Sequence, residues 1–223
     1  MVTVVDAGKD GGAVPETRHE RRRRRHRDAI LTAAQQLIQE KGPDATTMQE
    51  ISDRSDLALA TIYSYFESKD QIVLAVVEGT MNRLGSRIRV VTNTFKDPGQ
   101  IFAFGARCLM EAARRDKNWR FLFKRPGQMA ETMVKVFGKY GKTDIRQAVA
   151  AKRYMVEDVN LAWRQAMWAV AAVCVAVNEV PMSDDEVGKL FDEALANILG
   201  MMGVDRAAAW DIARRPRPQL PEE

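Results

Sequence analysis

Thr61, Tyr63, Ser64 and Tyr65 put hydroxyl groups on one short stretch whose inward anchors are Leu57, Ile62 and Phe66. Hydroxyls of this kind suit hydrogen bonds to phosphate oxygens. A surface meant only for water would carry charged residues there. Upstream, Arg21, Arg22, Arg23, Arg24 and Arg25 run consecutively, with Arg18 and Arg27 beside them. Such a run can neutralise a polyanion along its phosphates or in a narrow minor groove. A solvated, unstructured charge block is the alternative reading. Chemistry of bond making is not indicated. The sequence offers no Ser/His/Asp set, phosphate loop or paired-carboxylate arrangement. His19 and His26 are isolated beside arginines, and Cys108 and Cys174 have no metal-like spacing, so no metal or cofactor is expected.

The elements that must position the hydroxyls are marked locally. Thr47 followed by Glu50 is a capping box, so a helix starts at Thr47, with Met48, Ile51 and Ser55 on one face and Gln49, Ser52 and Asp53 elsewhere. Asp56 must turn the chain, since Asp tolerates the left-handed conformation of a sharp helix end. A second helix follows from about Ala58, and Ser68 with Gln71 opens a third as another capping box. Helix, tight turn and helix is the arrangement that sets a recognition helix in a DNA major groove, although most short helix pairs are simply core.

The run from Arg27 to Val73, above all IxxxSDLALATIYSYFESKDQI from Ile51, resembles the DNA-binding domain of the TetR family of bacterial transcriptional regulators. The resemblance implies an all-α homodimer that binds a palindromic operator and usually represses until a small molecule binds its C-terminal domain. It further implies that Thr47 and Lys69 bind phosphate and that Thr61 and Tyr63 lie against the operator. Tyr65 stands where the family often has His. Two positions depart from the pattern: Asp56 replaces the usual turn Gly, and Ala58 replaces a capping Ser or Thr. Loss of that cap costs about 1 kcal/mol of helix stability. With no Arg or Asn on the recognition helix, base choice rests on Gln49, Leu59, Thr61 and Tyr63, with Ala60 among them, and on DNA shape.

Charge distribution matters more than its total. The net charge of the 223 residues is only +4, while Glu40 to Asp70 is net acidic, so long-range attraction to DNA must come largely from the arginine run. At 46% hydrophobic and 29% charged the composition is globular. The first thirty residues lack an apolar signal core, and the most apolar run, Ala166 to Val177, is too short to span a bilayer. A cytoplasmic protein without a membrane partner is expected.

No stretch alternates as strands do, so the fold class is all-α. The expected organisation is a disordered extension over 1–20, a helix-turn-helix unit with a basic arm over 21–68, a helical regulatory and dimerisation unit over 69–213, and a disordered tail over 214–223. The first helix should span about Arg23 to Glu40. A long helix from Ser68 to about Val91 would join the two units. Met129 to Tyr140 reads as a helix loosened by Gly138 and Gly141, and Thr143 to Glu179 as one long helix or two nearly continuous ones. Phe102, Trp119, Phe123, Phe137, Trp163 and Met167 could line an apolar cavity for a fairly hydrophobic ligand, oriented by Arg107, Arg120, Gln128 or Asn160; filled core is the alternative. The resemblance implies that the last two long helices pair across a dimer, with Trp168, Phe191, Leu195 and Ile198 at the interface. A constitutive DNA binder without an effector, and an all-α enzyme or carrier, are the competing functions. An activator role also stays open.

Overall fold

The computed structural model describes residues 17–116 and 119–221. Within them the chain forms ten α-helices: α1 Arg18–Lys41, α2 Met48–Ser55, α3 Leu59–Tyr63, α4 Lys69–Thr92, α5 Pro98–Arg115, α6 Arg120–Phe123, α7 Pro126–Ala150, α8 Val159–Glu179, α9 Asp184–Met201 and α10 Arg206–Ala213. Among the described residues there is no strand, and the fold is all-α.

Capping chemistry starts most of these helices. Thr47 and Ser183 form complete capping boxes with Glu50 and Glu186. At Ser68 the box is modified: Ser68 accepts from Gln71 N–H, but the Gln71 side chain reaches the Glu67 N–H instead. The first helix begins five residues earlier than expected, at Arg18, because Thr17 and Glu20 make a further box. Glu20 N–H donates to Thr17 Oγ1 at 3.2 Å and Thr17 N–H to Glu20 Oε2 at 2.8 Å. Residues 17–20 of the expected disordered extension are therefore ordered, and the rest of it lies outside the described residues. The arginine run is consequently helical.

The first three helices pack with the N-terminal half of α4 around Ile30, Leu37, Ile38, Ile51, Ile62, Phe66, Ile72 and Val73. The remaining helices form a larger unit in which α7 packs along α8, and α5 runs beside α4, α7, α8 and α9. The helix α4 belongs to both. Ion pairs fasten the junction: Lys124 to Asp44 at 3.3 Å, Arg125 to Asp70 at 3.1 Å and Lys135 to Glu78 at 2.8 Å.

Three expectations need correction. Gly138 and Gly141 do not end α7, which runs on to Ala150. They are notches for Trp163: a Cβ on Gly141 would lie 2.2 Å from Trp163 Cζ3, and Trp163 Nε1–H donates to Val134 O at 3.0 Å. The break falls instead at 151–158, where Lys152 takes φ 56° and Tyr154 turns inward. Ser52, off the face of Met48, Ile51 and Ser55, is nonetheless buried, and its hydroxyl donates to Leu57 O at 2.6 Å, tying the turn. Finally, the described part of the tail, 214–221, is fastened to the domain. Arg215 pairs with Asp97 at 2.6 Å, Arg217 with Glu111 at 2.5 Å, and Arg87 Nε–H donates to Pro221 O at 2.7 Å.

Candidate nucleic-acid interface and apolar cavity

The helix-turn-helix is held by few but specific local bonds. Asp56 adopts φ 54°, ψ 37°, the left-handed turn, and Leu57 N–H returns to Ser52 O at 3.3 Å. Ala58 opens α3 with no side-chain cap. From α3 and its end, Ala60, Tyr63 and Ser64 are exposed, and Leu59 and Thr61 are half-buried. Tyr63 is 51% exposed, which leaves its ring and hydroxyl free to meet a groove. None of these five side chains carries a charge.

The flanking candidates are more engaged. Thr47 Oγ1 caps α2 and donates to Glu50 Oε2 at 2.8 Å, so its hydroxyl is already used. Glu50 also pairs with Lys41, and that hydrogen bond, with those from Thr47, holds its carboxyl down to about 2. A carboxylate at the α2 N-terminus works against an incoming phosphate, which the helix dipole favours. Gln49 Nε2 donates to Asp53 Oδ1 at 2.8 Å, and Lys69 Nζ to Asp44 O at 3.0 Å. Tyr65 is half-buried, with its hydroxyl 3.4 Å from His26 Nδ1, and so braces α1 against the end of α3.

The guanidiniums of Arg21 to Arg25 all lie in the exposed first turns of α1, ahead of the first buried residue, Ile30. A helix is about 10–12 Å across, whereas the minor groove of B-DNA is about 6 Å wide. A helical arm can therefore run along phosphates but cannot enter that groove.

A cavity of about 90 Å³ lies among α4, α5, α7 and α8. Phe102, Phe137, Trp163 and Met167 line it, together with Ile88 and Leu109. Trp119 and Phe123 do not; Trp119 is buried apart from it. Gly85 makes room for one wall, since a Cβ there would lie 3.1 Å from Phe137 Cε1. The polar groups differ from the four expected. Arg107 is buried against Asp192 and Ala213 O, Gln128 and Asn160 are exposed, and the Arg120 side chain lies outside the described residues. Instead, Arg89 Nη1 donates to both carboxylate oxygens of Asp144, at 3.1 and 3.2 Å, and its guanidinium sits 5.3 Å from the Tyr140 ring centroid. Tyr154 closes the wall near Pro98, donating to its carbonyl at 3.2 Å, and burial raises its hydroxyl above the usual tyrosine range.

Of the expected interface residues, Phe191, Leu195 and Ile198 are buried within the single chain and present no surface to a partner. The helix period had marked an apolar face without saying which chain fills against it. Trp168 is exposed, with Nε1–H on Glu131 at 2.9 Å. Leu161, Trp168 and Ala172 continue along the outer face of α8. That helix is long and apolar enough to cross a bilayer by length and composition, yet its other face is buried through Trp163, Met167, Val170 and Cys174. Cys108 and Cys174 are free and buried, which pushes both thiols up to about 12. Among the described residues no group of three His, Cys, Asp or Glu could hold a metal ion.

Residues 30–76 match the family described as bacterial regulatory proteins, tetR family, and 97–215 match the tetracyclin repressor-like C-terminal domain. Among curated proteins, the chain is 27% identical over 99 residues to the HTH-type transcriptional activator FasR of Mycolicibacterium smegmatis, covering 44% of this chain and 45% of FasR. It is 29% identical over 72 residues to the HTH-type transcriptional repressor KstR2 of the same species, covering 32% and 35%. The chain thus spans less than half the length of either relative. Among solved structures, RolR in complex with resorcinol superposes with a TM-score of 0.80 at 27% identity, covering 90% of this chain and 99% of RolR. Thermus thermophilus FadR in complex with lauroyl-CoA shares the fold, with a TM-score of 0.62 at 16% identity over 86% and 99%.

Proposed function

We propose that this chain, which belongs to the tetR family of bacterial regulatory proteins, is a cytoplasmic homodimeric repressor that leaves a palindromic operator when a small, largely apolar molecule fills the cavity. In this reading, residues 21–68 bind DNA and 69–213 hold the ligand and the dimer contact. Catalysis forms no part of it.

The observation that carries the reading is the span of α4. Ile72, Val73 and Val76 pack under the helix-turn-helix, while Gly85, Ile88, Arg89 and Thr92 line the cavity. Seventeen residues separate Ile72 from Arg89, or roughly 25 Å at 1.5 Å per residue. A helix over that distance moves as a rod, so a shift at the cavity re-aims α3. The ligand then acts by population shift: it binds better to the state whose recognition helices are wrongly spaced, and operator affinity falls by the ratio of its two affinities.

The interface side chains have separable roles. Ala60, Thr61, Tyr63 and Leu59 read the groove by apolar and hydroxyl contacts, with Gln49 beside them. Arg21 to Arg25 supply phosphate neutralisation, with Lys69 and the first turn of α2 at Thr47 fixing register. The second subunit meets the outer face of α8 at Leu161, Trp168 and Ala172, with Arg164 and Gln165 exposed between them. Two half-sites one helical turn apart require such a two-fold pair. The resorcinol bound by RolR, a structure similar over nearly its whole length, supports a small effector.

Footprinting on the DNA flanking the protein's own coding region tests the reading. Salt-sensitive, sequence-selective protection of a palindrome is expected; uniform or absent protection would rule it out. The relatives include an activator and a repressor, so a promoter fusion carrying the protected site must show lower transcription with the protein than without it.

A further inference from the structure

We propose that the C-terminal tail, residues 214–221, is a strap that holds α4 against α5 behind the cavity and so limits how far α4 can move when the cavity fills. The restraint itself stands on the contacts of the tail; its effect on the operator rests on the α4 coupling proposed above.

The tail leaves from a fixed point and is stiff. Ile212 and Ala213 at the end of α10 are buried, and a Cβ on Gly99 would lie 2.7 Å from Ile212 Cδ1, so α10 sits directly on the start of α5. Beyond it Pro216, Pro218 and Pro221 fix their own φ and bias Arg215, Arg217 and Leu220 toward extended backbone. Such a segment loses little freedom on docking.

Its contacts reach both helices. Arg215 pairs with Asp97, the N-cap of α5, at 2.6 Å, and Arg217 pairs with Glu111, near the other end of that helix, at 2.5 Å. Arg87 of α4 then donates to Pro221 O at 2.7 Å. Leu220 packs on Val91 from α4 with Phe104 and Cys108 from α5, a cluster separate from the main core. Proline-rich segments dock in aromatic-lined grooves of this kind. Arg217 and Glu111 are 46% and 36% exposed, so their pair sets register more than strength. Leu220 supplies the hold.

The strap bears on the cavity wall from behind. On α4, Arg87 and Val91 are one turn apart, while Gly85, Arg89 and Thr92, which line the cavity, stand on another side of the helix. On α5, Phe104, Cys108 and Glu111 likewise stand off the face of Phe102, Gly105 and Leu109. A guest that pushes α4 away from α5 must therefore stretch the strap. The docked tail favours the small, unfilled cavity, which in the repressor reading is the state that binds the operator.

Cys108 tests the strap without ligand or DNA. It is 8% exposed beneath the tail cluster, and Cys174, buried in the main core, is an internal control. In the unaltered full-length protein, labelling by N-ethylmaleimide, read by mass spectrometry, should be slow at both thiols. In full-length Leu220→Asp, and in a chain ending at Arg215, Cys108 should label at least about tenfold faster while Cys174 stays protected, since reaction requires access to the thiol. Hydrogen exchange over residues 85–92 should quicken in the same variants. Cys108 labelling unchanged in both variants would overturn the strap, as would labelling of the unaltered protein at the rate of a free thiol. Loss of helical structure in both variants would overturn it too, because the tail would then be part of the core. Operator affinity is scored separately. It should fall at least about fivefold when the strap is released, the low end of ordinary coupling between sites. Faster labelling with operator affinity unchanged would keep the strap and defeat the coupling through α4. Unchanged labelling with a fallen affinity would defeat the strap and leave that coupling standing.

Discussion

The indole of Trp163 occupies the space where a side chain on Gly141 would be: a Cβ there would lie 2.2 Å from Cζ3 and 2.3 Å from Cη2. Trp163 is buried, its Nε1–H is fixed to Val134 O at 3.0 Å, and both residues line the cavity. To clear Gly141 the ring would have to shift toward the cavity and strain that bond. Gly141→Ala should therefore destabilise the protein by about 1–3 kcal/mol, the usual range for overpacking, despite alanine's better helix propensity. Thermal unfolding checks it; a variant as stable as the parent would mean that α7 and α8 separate easily here.

The left-handed turn residue makes the opposite prediction. Asp56 holds φ 54°, where a Cβ is strained and glycine is not. Asp56→Gly should raise stability by up to about 1 kcal/mol, with the strain relief partly offset by the greater freedom of glycine in the unfolded chain. A loss of stability on denaturant unfolding would show that the Asp side chain itself holds the turn.

The arm and the recognition helix should fail in different ways. Replacing Arg21 to Arg25 with Gln should weaken binding to all DNA sequences and reduce the salt slope by about 0.9 for each phosphate no longer neutralised. Tyr63→Ala should lower operator affinity about tenfold, the equivalent of about 1.4 kcal/mol, while leaving the salt slope and the melting temperature unchanged. Titrations of operator and unrelated DNA at several salt concentrations separate the two. An arm variant that loses only the specific site would show that the arm reads sequence.

Acid should loosen the start of α2. The Glu50 carboxyl is held down to about 2 by Lys41 and Thr47. A depressed carboxylate contributes stability above its unfolded value, about 4.3, and that contribution is lost as pH falls from there through about 2. Glu50→Gln should flatten this part of the stability profile, measured by urea unfolding between pH 5 and pH 2. An unaltered profile would show that other carboxylates govern acid unfolding.

What was legible in the sequence was local. The Thr47 capping box, the turn at Asp56 and the missing cap at Ala58 are decided within four residues, and each is present in the fold. The Thr17–Glu20 box follows the same rule, and the five arginines after it carry no helix-start signal of their own. Pairings between distant segments left no such mark. Arg89 and Asp144 are 55 residues apart and Arg215 and Asp97 are 118 apart. Glycine misled for a related reason: Gly138 and Gly141 look like helix breakers until Trp163 is known to fill them. Periodicity placed Phe191, Leu195 and Ile198 on an apolar face, and it carries no information on whether the same chain or a second one covers that face.

If α4 couples the cavity to the operator, the coupling can be measured from both ends. Operator affinity should be determined by fluorescence anisotropy, with and without a saturating dihydroxybenzene, and ligand affinity by calorimetry on free and operator-bound protein. Coupling between two sites is reciprocal and typically amounts to about 5- to 150-fold. Operator affinity is expected to fall by a factor in that range, and ligand affinity by the same factor on the DNA complex. A ligand that fills the cavity and leaves operator affinity unchanged would show that α4 carries no signal between the two sites.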